Sequence, residues 1–208
     1  MKKILLFLVI TSAMLFTVLQ AKEEQRKSEE QKKSKEKNLT AMEVYQQMSF
    51  LLSDSWSLSP KEKQIDTTGA HENKAIAHLV GDVDAIGTQY KVIGRGATLE
   101  EVLLPNTKKS MVTMYHCNSY KNCTQLKATH YCAKQNQPEF ILNLEESSKN
   151  KFVFDCDMST ELCNSDEDHI HKMIFELSEE DDHLKASYLA WKDKKLRKKH
   201  SIYHFDRM

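Results

Sequence analysis

Between residues 55 and 206 the chain breaks into ten short runs rich in β-branched and aromatic residues, with a turn signal every several positions. That rhythm constrains the fold more than any other feature, because so many short segments can bury their apolar sides only by pairing edge to edge. The runs fall at 55–59, 87–94, 97–104, 110–117, 124–132, 139–144, 151–156, 169–177, 183–191 and 197–206. The breaks between them carry Gly94-Arg95-Gly96, Pro105-Asn106, Asn136-Gln137-Pro138 and similar polar or Pro/Gly clusters. Short connections favour neighbours that are antiparallel, and closure removes the exposed edges. We therefore expect an all-β chain, an up-and-down antiparallel β-barrel of about ten strands. Residues 60–86 read as an irregular excursion after the first strand that folds over one barrel mouth.

One helix precedes the strands. Residues 39–52 (LTAMEVYQQMSFLL) place Met42, Tyr45, Met48 or Ser49, and Leu52 at helical spacing, and Asn38 or Thr40 supplies the cap. The basic stretch 192–200 is read as a solubilising hairpin tip rather than a binding patch.

Alternation of side chains in a strand then selects the interior. In 124–132, Leu126, Ala128, His130 and Cys132 share a face, and the set is mostly apolar, so it points inward. In 169–177, His169 and His171 share a face with Met173, Phe175 and Leu177. Tyr90 joins from Thr88-Tyr90-Val92. Period-two placement thus predicts a common hollow addressed by His130, Cys132, His169, His171 and Tyr90. Three uses of it remain open. The polar groups can satisfy one another and buried water within a packed core. They can be the placed polar groups of a mostly apolar ligand cavity. Or His130, His169 and His171, with Cys132, can hold zinc, copper or haem iron. A thiol-using enzyme at the same place requires His130 to activate Cys132, and no third member or oxyanion hole is recognisable. The turn Asn136-Gln137-Pro138 offers amides beside a mouth, or is an ordinary turn closed by proline. There is no P-loop, dinucleotide fingerprint, HExxH or GxSxG pattern.

The N-terminus speaks to compartment. Met1-Lys2-Lys3 is a short basic start, residues 4–19 are almost wholly apolar, and Ala21 ends the run. We read residues 1–21 as a cleaved signal, with an uncleaved anchor as the alternative. Residues 22–38 hold seven Lys/Arg, five Glu and no large apolar side chain, so they cannot offset the entropy of ordering and read as a charged tether. Of the 30 basic and 30 acidic residues, nine and five precede Leu39, which leaves 21 and 25 in residues 39–208, a net of −4. That balance argues against a nucleic-acid partner. Residues 39–208 suffice for one domain and one core.

Five cysteines follow the signal. Cys117 and Cys123 flank a turn-rich link between two strands, and Cys156 and Cys163 flank a short loop, so Cys117–Cys123 and Cys156–Cys163 are the plausible disulfides, although spacing alone leaves connectivity open. Cys132 is then the odd thiol, either a small buried hydrophobe or a ligand-contacting group. No pair has the CxxC spacing of a zinc knuckle.

The segments MVTMYHC, LKATHYCAKQNQPEF, DEDHIHKMIFEL and HLKASYLAWKD, preceded by YKVIGRGATLEEVLLPNT, resemble a group of uncharacterised bacterial lipocalin-like proteins with the pattern MVTxYH…THYC…NQP. The resemblance spans roughly residues 50–207 and implies a calycin-type barrel without implying an activity. Barrels of that type carry a Trp on the first strand and an Arg on the last that close one end. Trp56 and Arg207 stand at those places, while Asp54 replaces the glycine usual two residues before the Trp. The combined expectation is a periplasmic or secreted bacterial protein with no lasting membrane span. It binds a small, largely apolar ligand; the alternative is a metal, haem or thiol-dependent protein at the same cavity.

Overall fold

The computed structural model describes residues 39–64 and 74–208. The signal and tether expectations, and the middle of the 60–86 excursion, lie outside the described residues. Helix α1 (Ala41–Leu52) opens on a capping box: the Thr40 hydroxyl accepts from the Glu43 amide at 3.2 Å, and the Glu43 carboxylate accepts from the Thr40 amide at 3.0 Å. It buries Ala41, Val44, Tyr45, Met48, Leu51 and Leu52. Met42, read from spacing as a core position, is only partly buried.

Eleven strands follow among the described residues: β1 (Asp54–Leu58), β2 (Ile86–Ile93), β3 (Thr98–Leu103), β4 (Met111–Cys117), β5 (Leu126–Tyr131), β6 (Glu139–Leu142), β7 (Lys151–Cys156), β8 (His169–Leu177), β9 (His183–Lys192), β10 (Lys195–Leu196) and β11 (Ser201–Arg207). Each pairs antiparallel with its neighbour through β9; β9 then pairs β11 and β11 pairs β1, which closes a ten-stranded barrel. The extra strand is β10, which pairs only with the end of β9. Asp193 and Lys194 between them have φ of 52° and 56°, the two positive values of a type I′ hairpin turn. The last barrel strand accordingly starts at Ser201 rather than at residue 197. A one-turn helix, α2 (Glu161–Asn164), interrupts the β7–β8 connection.

Strand directions give the barrel two distinct ends. At the helix end, α1 packs against β2, β4 and β5. The Tyr45 hydroxyl donates to the Gly96 carbonyl at 2.9 Å in the β2–β3 turn. Trp56 is fully buried and donates from Nε1 to the Leu52 carbonyl at 3.0 Å. The Arg207 guanidinium carbon lies 4.1 Å from the Trp56 ring centroid, with Nη2 donating to Leu51 and Nε to the Asp181 carbonyl. This cation–π and hydrogen-bonded arrangement ties the last strand to the first and to the helix. At the opposite end, the mouth, lie residues 59–64 and 74–85 and the 104–110, 132–138 and 157–168 connections.

The interior is aromatic. Phe140, Phe152, Phe154, Phe175 and Phe205 are fully buried, and the Tyr115, Phe154 and Phe175 rings meet at centroid distances of 5.2–6.5 Å. Each such side chain contributes about 1.5–3 kcal/mol by leaving water. Gly87 is needed at the register shift between β1 and β2: a Cβ there would stand 2.9 Å from the Leu58 amide nitrogen and 3.0 Å from Phe205. Ile76 and Leu79 of the 60–86 excursion are buried in the same core.

Candidate functional site

Period-two alternation places Leu99, Glu101 and Leu103 on the inward face of β3, and Glu101 is fully buried. Three phenols from three strands converge on its carboxylate. Tyr90 on β2 donates to Oε1 at 3.1 Å, Tyr115 on β4 donates to Oε2 at 2.6 Å, and Tyr188 on β9 donates to Oε1 across the barrel. The Thr113 hydroxyl on β4 also serves the carboxylate. Burial pushes the Glu101 carboxyl above its ordinary range, and the hydrogen bonds from Tyr115, Tyr188, Thr113 and Tyr90 hold it down. Burial, together with the Glu101 charge, raises all three tyrosines well above 10.0, so their protons stay on oxygen and remain donors.

His130 extends this network. It is 1% exposed, its Nδ1 lies 2.9 Å from the Thr113 hydroxyl, and its ring sits 5.9 Å from that of Tyr188. Either partner can donate in the Thr113–His130 bond; the tautomer with the proton on Nδ1 donates to the Thr113 oxygen and leaves a bare lone pair on Nε2. That Nε2 is buried and has no hydrogen-bond partner. Burial lowers the ring to about 4, so it is neutral at ordinary pH.

The other histidines expected in the hollow lie elsewhere. A bulge in β8 pairs Ile170 with Ala190 but Lys172 with Leu189, making His171 an extra residue. The alternation is broken, and His169 and His171 leave the row of Met173, Phe175 and Leu177. His169 pairs with Trp191, and the His171 ring stacks on the Trp191 indole at 3.8 Å. His169 is buried, its Nδ1 is 2.7 Å from the Glu167 carbonyl, and its Nε2 is 2.9 Å from His171 Nδ1. Burial, then the neighbouring His169, lowers the His171 ring. One ligand atom from each of Cys156, His169 and His171 lies within 4.8 Å of the other two, and among the described residues His130 is outside that group. The set His130, His169 and His171 is therefore not brought to one point; Cys156 stands where His130 was expected.

Cys132 lies just past the end of β5 and is half-buried. Its thiol faces Asn136 Oδ1 at 3.9 Å, while Asn136 Nδ2 donates to Glu167 Oε1 and the Asp168 carbonyl. The Asn136 turn thus laces the β5–β6 connection to the β7–β8 connection at the mouth. Both disulfides join the expected partners, Cys117 to Cys123 and Cys156 to Cys163. Of the expected ligand residues, then, Tyr90 and His130 share the Tyr188–Glu101 network, whereas Cys132, His169 and His171 ring the mouth. Glu101, Tyr115, Thr113 and Tyr188 were not singled out from sequence, although the Leu-x-Glu-x-Leu pattern of β3 was the available signal: a carboxylate in the middle of an inward row.

A groove of about 440 Å³ opens at the helix end, between Met42, Tyr45 and Gln46 on one side and Thr98, His116 and Tyr120 on the other. None of its lining residues belongs to the Glu101–Thr113–His130 network, and none carries a buried polar atom without a hydrogen-bond partner.

Fold and site together define a closed antiparallel barrel with a polar cluster set in an aromatic interior. Compared with protein-family models and with the curated proteins, the chain matches none.

Proposed function

We propose that this chain is an exported, lipocalin-like binding protein for a small, largely apolar molecule carrying one hydrogen-bond donor. The observation that carries the reading is the buried, unpartnered Nε2 of His130 beside Tyr188. Native interiors leave few such groups unpaired, because an unmade hydrogen bond costs about 1–3 kcal/mol. A ligand hydroxyl or amine would supply the missing donor, and the aromatic interior, in which the Phe175 ring lies 6.0 Å from that of Tyr188, suits an apolar body. The Glu101 carboxylate already accepts from three tyrosines, so it holds the strands in place and leaves recognition to His130. Export is supported by the two disulfides, which persist in oxidising compartments. No described helix is long and apolar enough to cross a membrane.

N-phenyl-1-naphthylamine, a neutral apolar fluorophore with one N–H, is the probe of choice. It should bind saturably, one per chain, and His130→Phe should weaken binding by about tenfold, the worth of one neutral hydrogen bond at the upper end. Loss of binding in Tyr120→Ser with retention in His130→Phe would move the site to the helix-end groove and overturn the reading.

A further inference from the structure

The mouth carries a second constellation that ligand binding does not use. Cys156 Sγ, a ring nitrogen of His169 and a ring nitrogen of His171 lie within 4.8 Å of one another, and Cys163 Sγ is bonded directly to that of Cys156. Two sulfurs and two imidazoles therefore surround one small region, the donor set of a Cys₂His₂ zinc site. We propose that opening the Cys156–Cys163 disulfide turns this cluster into a tetrahedral zinc site, with Cys156, Cys163, His169 and His171 as ligands.

The imidazole geometry is close to that of a metal site. The Glu167 carbonyl can only accept, so His169 Nδ1 carries the proton and its Nε2 presents a lone pair. That Nε2 now receives the Nδ1–H of His171 at 2.9 Å. Two nitrogens bound to zinc at about 2.0 Å in a tetrahedron stand about 3.3 Å apart, so the metal takes the place of the His171 Nδ1 proton, which moves to Nε2 of the same ring, with only a small separation of the rings. Histidine ligands to zinc ordinarily donate their other N–H to a carbonyl or carboxylate, which fixes tautomer and ring orientation. The Glu167 carbonyl is already in that position for His169, and stacking on Trp191 holds the His171 ring. The sulfurs must part from bonding distance to about 3.8 Å at Zn–S distances of about 2.3 Å. Cys156 is fixed on β7, whereas Cys163 sits on the one-turn helix of the 157–168 connection, which is the part that can yield.

The chemistry balances with an external two-electron reductant of the dithiol class. Its two sulfurs become a disulfide, the Cys156–Cys163 bond breaks, and both protein thiols lose their protons as Zn²⁺ binds. The oxidised protein keeps neither thiolate and has no such site, so metal affinity reports the redox state of this one bond.

Cobalt titration of the full chain tests this, with tris(2-carboxyethyl)phosphine as a weakly chelating reductant and Cys132→Ser as the background. The reduced protein should take one Co²⁺, with thiolate charge-transfer absorption and the intense d–d bands of a tetrahedral S₂N₂ site, and one equivalent of Zn²⁺ should bleach them. Without reductant the bands should be absent. Cys117→Ser/Cys123→Ser should leave the spectrum unchanged, and His171→Gln, at a half-buried position, should weaken cobalt binding by at least tenfold. Circular dichroism in parallel should show the reduced chain folded when zinc is present. Bands that survive His171→Gln, an S₄-type spectrum, equal binding without reductant, or a reduced chain that stays unfolded in excess zinc would each overturn the proposal.

Discussion

Replacing His130 with glutamine should remove a specific acid sensitivity from this barrel. Burial lowers the ring from 6.5 to about 4. In the unfolded chain His130 takes up a proton as pH falls through about 6.5, whereas in the folded barrel it stays neutral until about 4. The stability that depends on a neutral ring is fully present above about 6.5 and is lost progressively as pH falls toward 4. At 1.36 kcal/mol per unit over two and a half units, the loss amounts to about 3 kcal/mol. Glu101 acts in the opposite sense: its raised folded value makes its contribution greatest at low pH and erodes it as pH rises. The depressed Asp157, Asp168 and Asp206 carboxyls add a loss on acidification. These groups are common to both proteins, so the difference between wild type and His130→Gln isolates the imidazole. Glutamine keeps a donor for Thr113 and does not titrate. Urea unfolding with the disulfides intact, at half-unit steps from pH 7.5 to 4, should show wild type losing stability relative to the variant at about 1.4 kcal/mol per unit below 6.5. Parallel curves would refute the buried, neutral placement of His130.

Three further outcomes follow from the packing. Gly87→Ala should cost about 1–3 kcal/mol, seen as a lowered Tm, because the new methyl meets the Leu58 amide and the Phe205 ring. Arg207→Lys should cost about 1–3 kcal/mol in urea, since a single ammonium cannot reach the Leu51 and Asp181 carbonyls together while covering Trp56. Thiol titration of the oxidised, denatured domain should find one free thiol per chain, and none in Cys132→Ser.

The barrel was legible because nearly every strand obeys one rule, an inward apolar row at every second residue bounded by turn residues. Leu126, Ala128 and His130 follow it to the end of β5. The same rule misplaced His169 and His171, because a bulge inserts one residue into β8 and shifts the parity, and nothing in HIHKMIFEL announces it. Cys132 left the inward row for a simpler reason: β5 stops at Tyr131, and strand ends are poorly marked by composition. The Cys156 and His171 juxtaposition was invisible because it depends on β7–β8 register and on that bulge, both properties of pairing rather than of either strand. Glu101 was legible but overlooked, since a carboxylate in a core becomes credible only once Tyr90, Tyr115 and Tyr188 are known to face it from other strands.

Nitrogen-15 NMR of the His130 ring during titration with N-phenyl-1-naphthylamine tests the central claim most directly. The binding account predicts that the Nε2 resonance, and not those of His169 or His183, moves as the N–H of the probe engages the lone pair, reaching a plateau at one probe per chain. A His130 ring unchanged through saturation, or one that titrates near 6.5 like a solvated imidazole, would contradict it.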